Sequence, residues 1–255
     1  MRIIISPAKK MNVDTDSFAV SGMPEFLEDT RVLMREIQAL TLADARALWK
    51  CNDALAELNF RRFRDMELER RLTPAVMAYE GLQYRHMAPV VLTRDALSYI
   101  AEHLRILSGF YGLLRPFDGV TPYRLEMQAG LAVGECRDLY EFWGDRLYKS
   151  IAGEDTTILN LASREYSRCI EKYITPKDRW ITVEFGEIQE GKIRQKGTLA
   201  KMARGEMVRV RAENGIRDLE GVKKFRGLEF AYCAQLSTEK KYVFLKNPAQ
   251  CPQMP

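Results

Sequence analysis

The sequence predicts an α+β or mixed α/β fold, with a mixed sheet flanked by helices. Three observations carry this. The chain opens on a short apolar run, Ile3 to Ile5, closed by Ser6-Pro7, the pattern of a buried strand. Residues 156–161 read as a second strand, followed by an Ala162-Ser163 turn and a helical pattern over 164–174, the strand–turn–helix step of α/β layouts. Ile181, Val183 and Phe185 then alternate with other residues as a further strand, with Glu190-Gly191 as a turn and Ile193 in a return strand.

The remaining elements follow in chain order. Phe26, Leu27, Leu33, Met34, Ile37 and Leu40 recur at three- and four-residue steps, predicting a helix over 25–40. Shorter helical runs cover 42–50 and 52–66. Thr73-Pro74 has the form of a cap and first helical position. Thr93 is placed to cap a helix running to about residue 107. Residues 108–127 are dense in glycine, proline, aromatic and charged residues and predict an ordered loop. Helix resumes over 138–152. A long helix over 198–214 stops at Gly215, and 227–235 with 240–246 form a final hairpin. With no repeat or linker, residues 1–246 are expected to form one domain and 247–255 a loose tail carrying Pro248, Pro252 and Pro255.

Composition narrows the function classes. The chain has 255 residues, 46% apolar and 29% charged, which excludes a disordered or low-complexity protein. The N-terminal apolar run is too short for a signal peptide or a membrane span, so a cytoplasmic protein with no membrane partner is expected. Cys51, Cys136, Cys169, Cys233 and Cys251 are odd in number and never spaced as CxxC, which predicts reduced thiols rather than a disulfide scaffold or zinc ribbon. His86 and His103 share no ligand spacing, so no metal site and no cofactor is expected.

The net charge is only +4, but its distribution is uneven. Residues 181–226 hold eleven Lys/Arg against seven Asp/Glu, and the rest of the chain is neutral. Within this segment the 198–214 helix has an apolar face of Leu199, Met202, Ala203, Met207 and Val210, with Lys201, Arg204 and Arg211 on a basic edge. Gly205 interrupts that helix, and close approach of another backbone or a ligand is one reason to accept its cost of about 1 kcal/mol. The edge is either a solvated helix face or a phosphate-facing stripe. A tight helical pair around 55–63, followed by Arg61, Arg62 and Arg64, is a second candidate for phosphate contact, with Glu57 and Asn59 where glycines would serve better.

Several segments together resemble one family. They are Ile5-Ser6-Pro7-Ala8-Lys9; the long block Ser108-Gly109-Phe110-Tyr111-Gly112-Leu113-Leu114-Arg115-Pro116-Phe117-Asp118 with Pro122-Tyr123-Arg124-Leu125-Glu126-Met127; Leu139-Tyr140-Glu141-Phe142-Trp143; Asn160-Leu161-Ala162-Ser163-Arg164-Glu165-Tyr166; and Ala200-Lys201-Met202-Ala203-Arg204-Gly205. This ordered set is similar to the YaaA family of bacterial peroxide-stress proteins. The resemblance implies a cytosolic protein that protects DNA by limiting free iron. It also implies a mixed α/β domain with a positively charged cleft, a helix-hairpin-helix-like element and association with DNA, but no known reaction. Gly81-Leu82-Gln83-Tyr84 departs from a Gly-Asp-Val-Tyr step common in the family, removing an acid.

Two readings of the site follow, and a third is weaker. In the first, Lys9, Arg115, Tyr123, Arg124, Lys201, Arg204 and Arg211 line a basic cleft for DNA, with backbone or distorted-structure recognition, and Tyr111, Tyr123 and Trp143 stack on bases or sugars. In the second, the same cleft belongs to an enzyme acting on a small, nucleotide-like anion. Lys9, Asp118, Glu126, Ser163 and Glu165 are then its catalytic candidates, because carboxylates beside cations suit acid–base work and strand ends suit ligands. Direct iron sequestration lacks a recognisable ligand set.

Overall fold

The computed structural model describes residues 1–152 and 157–252; Thr156, the predicted start of the second strand, and the end of the tail with Pro255 lie outside them. A nine-stranded mixed sheet forms the centre. Its parallel core runs, in space, Lys241–Leu245, Arg179–Gln189, Thr157–Asn160, Arg2–Ile5 and Leu104–Ser108. Gly112–Leu114 closes one side antiparallel; Phe230–Tyr232 and Arg226–Gly227 close the other, and Lys192–Arg194 folds back on the end of Arg179–Gln189. Ile3, Ile4 and Ile5 are completely buried, as expected for a parallel strand covered on both faces. From this strand the chain first builds outward to Leu104–Ser108 and then returns to place Thr157–Asn160 on the opposite flank. The carboxyl ends of Arg2–Ile5 and Thr157–Asn160 therefore meet at a topological switch point, where open α/β sheets have their ligand crevice.

Most predicted helices form. Leu27–Gln38, Leu42–Trp49, Asp53–Arg64, Arg164–Glu171 and Gly197–Glu213 lie within a few residues of their predicted spans. Thr93 caps its helix by accepting from Ala96 N at 3.3 Å.

The differences have tertiary causes. The Arg94–His103 helix ends early because Leu104 and Ile106 are drawn into register with Ile3 and Ile5. The predicted loop over 108–127 contains Gly112–Leu114 and Gly119–Val120, since Gly112 takes the left-handed φ of 70° needed to turn the hairpin back. Thr73-Pro74 is a short strand against Gly119–Val120, followed by a single helical turn, Ala75–Ala78. The 138–152 helix is broken at Gly144, φ 52°, into Leu139–Trp143 and Arg146–Ile151. The expected helical hairpin around 55–63 is instead the interior of one helix. The turn lies at Lys50, φ 46°, through Asn52, whose side chain caps Leu55 N at 3.0 Å; Asn59 is buried and donates to Leu55 O.

The C-terminal end also departs from expectation. Cys233 and Cys251 are joined in a disulfide with Cα atoms 5.7 Å apart, so the thiols are not all free. A 3₁₀ turn, Pro248–Gln250, precedes Cys251, and the described part of the tail is held to the final hairpin. Residues 18 apart meet because the Phe230–Tyr232 and Lys241–Leu245 hairpin returns the chain beside its own start, a proximity that CxxC spacing does not reveal.

Gly205 has a defined role. A Cβ there would lie 2.0 Å from Gln83 O and 3.0 Å from Met87 N, so the glycine lets the Leu82–Met87 helix rest directly on Gly197–Glu213. Gly-to-Ala in a helix ordinarily stabilises by about 1 kcal/mol. Gly205→Ala is expected to reverse that sign and destabilise by about 2 kcal/mol or more, measured by urea unfolding, because backbone rather than a flexible side chain must yield.

Candidate functional site

The switch point opens into a cavity of about 380 Å³. Each wall is set by local structure. The loop after Arg2–Ile5 brings Ser6 and Lys9, and is then held by the Lys10–Met11 strand pairing with Tyr79–Glu80. The turn after Thr157–Asn160 brings Ser163, Glu165 and Tyr166; it is shaped by buried Asn160, whose Oδ1 accepts from Ala162 N at 2.9 Å. Tyr123, Arg124 and Glu126 form a third wall. Gly109 admits their segment closely, since a Cβ on it would stand 2.6 Å from Leu125 O. The Leu82–Met87 helix contributes Gln83 and Tyr84, and the Gly197–Glu213 helix contributes Lys201 and Arg204.

The walls are fastened to one another by polar contacts. Ser6 Oγ accepts from Ser163 N at 2.8 Å and lies 3.2 Å from Ser163 Oγ, joining the two strand ends. Tyr84 OH donates to Ser6 O at 2.9 Å. Beneath them, Tyr123 OH lies 2.6 Å from Ser108 Oγ and 2.8 Å from Tyr79 OH. Burial pushes the Tyr123 hydroxyl up to about 12, so it is a neutral hydrogen-bonding group rather than a source of charge.

The charges divide into paired and unpaired sets. Glu126 Oε1 meets Lys9 Nζ at 2.9 Å and Arg124 Nη2 at 3.2 Å; Glu80 pairs with Lys10 and with Arg85. Glu165 is half-buried, and desolvation with help from Glu126 raises its proton affinity against the opposing pull of Gln128 N and Lys9. Arg204 makes no hydrogen bond or ion pair among the described residues; its Nε is buried and burial holds its proton affinity down to about 10. Arg124 Nε and Gln83 Nε2 are likewise buried without acceptors. Three cavity-lining residues thus each carry a buried donor without an acceptor, an arrangement that suits an oxygen-rich partner.

The predicted residues separate accordingly. Lys9, Tyr123, Arg124, Glu126, Ser163, Glu165, Lys201 and Arg204 line the cavity together. Arg211 does not: it is completely buried, donating to Ile216 O at 2.7 Å and Tyr99 OH at 3.2 Å, so it braces the end of its helix. Arg115 and Asp118 lie beyond the far end of the Gly112–Leu114 strand, where Arg115 N donates to Asp118 Oδ2 at 2.8 Å. Tyr111 and Trp143 are sealed in the core and cannot stack on a base. Lys10, Glu80 and Gln83 line the cavity but carry no chemical motif in sequence; only the departure from the family pattern at Gly81–Tyr84 touches one of them. Among the described residues, no three His, Cys, Asp or Glu side chains gather as metal ligands.

Asp118 has a measurable signature. Desolvation raises its carboxyl from 3.8 to about 6 despite the Arg115 amide and the Arg115 and Arg105 charges. A raised carboxyl stabilises the fold below pH 4 relative to higher pH, and that contribution is lost as pH rises through 6. Asp118→Asn keeps an acceptor for Arg115 N. Relative to the unmodified chain it is expected to be near neutral below pH 4 and to gain up to about 3 kcal/mol above pH 6, read from denaturant unfolding across that range.

The similarity to known proteins covers the whole of this architecture. A family model described as "Peroxide stress protein YaaA" matches residues 1–236. A UPF0246 protein of Agathobacter rectalis is 52% identical over 98% of this chain and 100% of its own length. Others, from Lachnoclostridium phytofermentans and Pediococcus pentosaceus, are 53% and 49% identical, each over 97% of this chain and 97% and 98% of their own lengths. A match that spans every wall of the cavity, at about half identity along nearly the entire length, places the chain in the peroxide stress protein YaaA (UPF0246) family.

Proposed function

We propose that the protein serves the peroxide response in the cytosol by binding DNA through a single phosphate-bearing nucleotide held in the cavity, so limiting iron-driven damage to DNA. The observation that carries this reading is the unpaired pair Lys201 and Arg204. They face a cavity whose other cations, Lys9, Lys10 and Arg124, are matched by Glu126 and Glu80. The lining holds five cationic side chains against three carboxylates, a local excess suited to a phosphate rather than to a long polyanion. A volume of about 380 Å³ takes a nucleotide-sized group and not a duplex. Recognition is therefore of unpaired or distorted DNA, with Gln83 Nε2 and the Arg204 and Arg124 guanidinium groups supplying donors to the ligand oxygens.

A second reading rests on Glu165. A half-buried carboxyl of raised proton affinity beside Glu126 and Lys9 is a suitable acid–base group for an enzyme acting on a free nucleotide or similar anion.

Fluorescence anisotropy with single-stranded, mismatched and duplex oligonucleotides tests the first reading. Single-stranded or mismatched DNA is expected to bind best. With one phosphate neutralised, log K should fall against log salt with a slope of about −0.7. Lys201→Ala with Arg204→Ala should abolish that slope, Gln83→Leu should weaken binding, and Arg115→Ala should leave it unchanged. No binding at low salt by any oligonucleotide, together with tight binding of a mononucleotide, would transfer the site to the second reading.

A further inference from the structure

We propose that Cys233 and Cys251 are a peroxide-reactive thiol pair, in which Cys251 meets the oxidant and Cys233 resolves it into the disulfide. Three observations assign the roles. The two cysteines are bridged with their Cα atoms 5.7 Å apart, an ordinary separation for a disulfide. Cys233 is buried against Val243 and Leu245, while Cys251 is half-exposed at the rim of the same small cluster. A small oxidant arriving from solvent therefore reaches Cys251 first, and Cys233 is shielded from solvent. Gln235 Oε1 lies 2.9 Å from Cys251 Sγ and 3.6 Å from Cys233 Sγ, an acceptor for both thiol hydrogens when the pair is reduced.

The chemistry closes with hydrogen peroxide as oxidant. The Cys251 thiolate attacks one peroxide oxygen, the O–O bond breaks, and Cys251 sulfenic acid forms with release of hydroxide. The Cys233 sulfur, giving up its proton, then attacks the Cys251 sulfur; the S–O bond breaks, the disulfide forms, and the proton and hydroxyl leave as water. Two thiols are oxidised and one peroxide is reduced to two waters.

The remaining cysteines, Cys51, Cys136 and Cys169, are not bridged. Cys169 is sealed in the core, and burial pushes its thiol up to about 12, far from a reactive thiolate. The bridge also has a structural consequence. It closes a ring around Lys241–Leu245, the strand that pairs in parallel with Arg179–Gln189, and fastens the tail to that side of the sheet. It is also separate from the cavity and stands whether or not DNA is the ligand.

The test uses the full-length protein, reduced and freed of reductant, then exposed to graded hydrogen peroxide and quenched by alkylation. Non-reducing peptide mapping is expected to show the Cys233–Cys251 crosslink at lower peroxide than any oxidation of Cys51, Cys136 or Cys169. Cys233→Ser should accumulate a dimedone-reactive sulfenic acid at Cys251, whereas Cys251→Ser should leave Cys233 unmodified at the same dose. Thermal unfolding of each reduced variant checks that the fold is retained, and the crosslinked protein should melt higher than the reduced one. Earlier oxidation of Cys51 or Cys136, sulfenic acid at Cys233 in Cys251→Ser, or a disulfide that resists dithiothreitol in the native protein would each overturn the assignment.

Discussion

The parallel pairing of Arg2–Ile5 between Leu104–Ser108 and Thr157–Asn160 is the interaction on which the rest of the molecule depends. Three segments separated by some hundred and fifty residues are brought into one plane, and their carboxyl ends deliver Ser6, Ser108 and Ser163 to the same region. The Ser163 N to Ser6 Oγ hydrogen bond then ties two of these ends together. Parallel pairing demands burial on both faces, which explains why the central strand is an unbroken isoleucine run and why helices crowd around it.

Close backbone approach is the second constraint. Gly205 and Gly109 each occupy a place where a Cβ would overlap a neighbouring carbonyl, and each holds one wall of the cavity at its distance from the sheet. The first seats the Leu82–Met87 helix with Gln83 and Tyr84; the second seats the Tyr123–Glu126 segment. The electrostatics of the cavity follow from this seating. Glu126 and Glu80 satisfy the cations nearest the strand ends, while Lys201 and Arg204, arriving on a separate helix, meet no carboxylate there. An excess that looked like a property of one helix is thus a property of two layers that meet.

The same helix shows why charge on a sequence does not specify charge on a surface. Lys201, Arg204 and Arg211 share an edge by helical projection. Arg204 opens into the cavity with its Nε out of reach of any acceptor, and Arg211 turns into the core to hold Tyr99 and Ile216. The far end of the helix packs under a loop that needed hydrogen-bond donors, and the longest side chain available supplied them.

Local pattern alone determined the first strand, the strand–turn–helix step at Asn160–Ser163, most of the helices and the basic character of Gly197–Glu213, because each of these is written in short-range periodicity or in a cap. Lys9, Ser163 and Glu165 could also be named in advance from turns after strands, Lys201 and Arg204 from a basic helix edge, and Arg124 and Glu126 from the polar loop and the segment that carries the family resemblance. Only the tertiary structure decided that Leu104–Ser108 is a strand, because its partner lies a hundred residues away. It alone decided that Arg115 and Asp118 are remote from the cavity, that Gln83 and Glu80 belong to it, and that Cys233 meets Cys251. Each of these is a matter of register or of chain return, and neither register nor return leaves a periodic mark on the sequence.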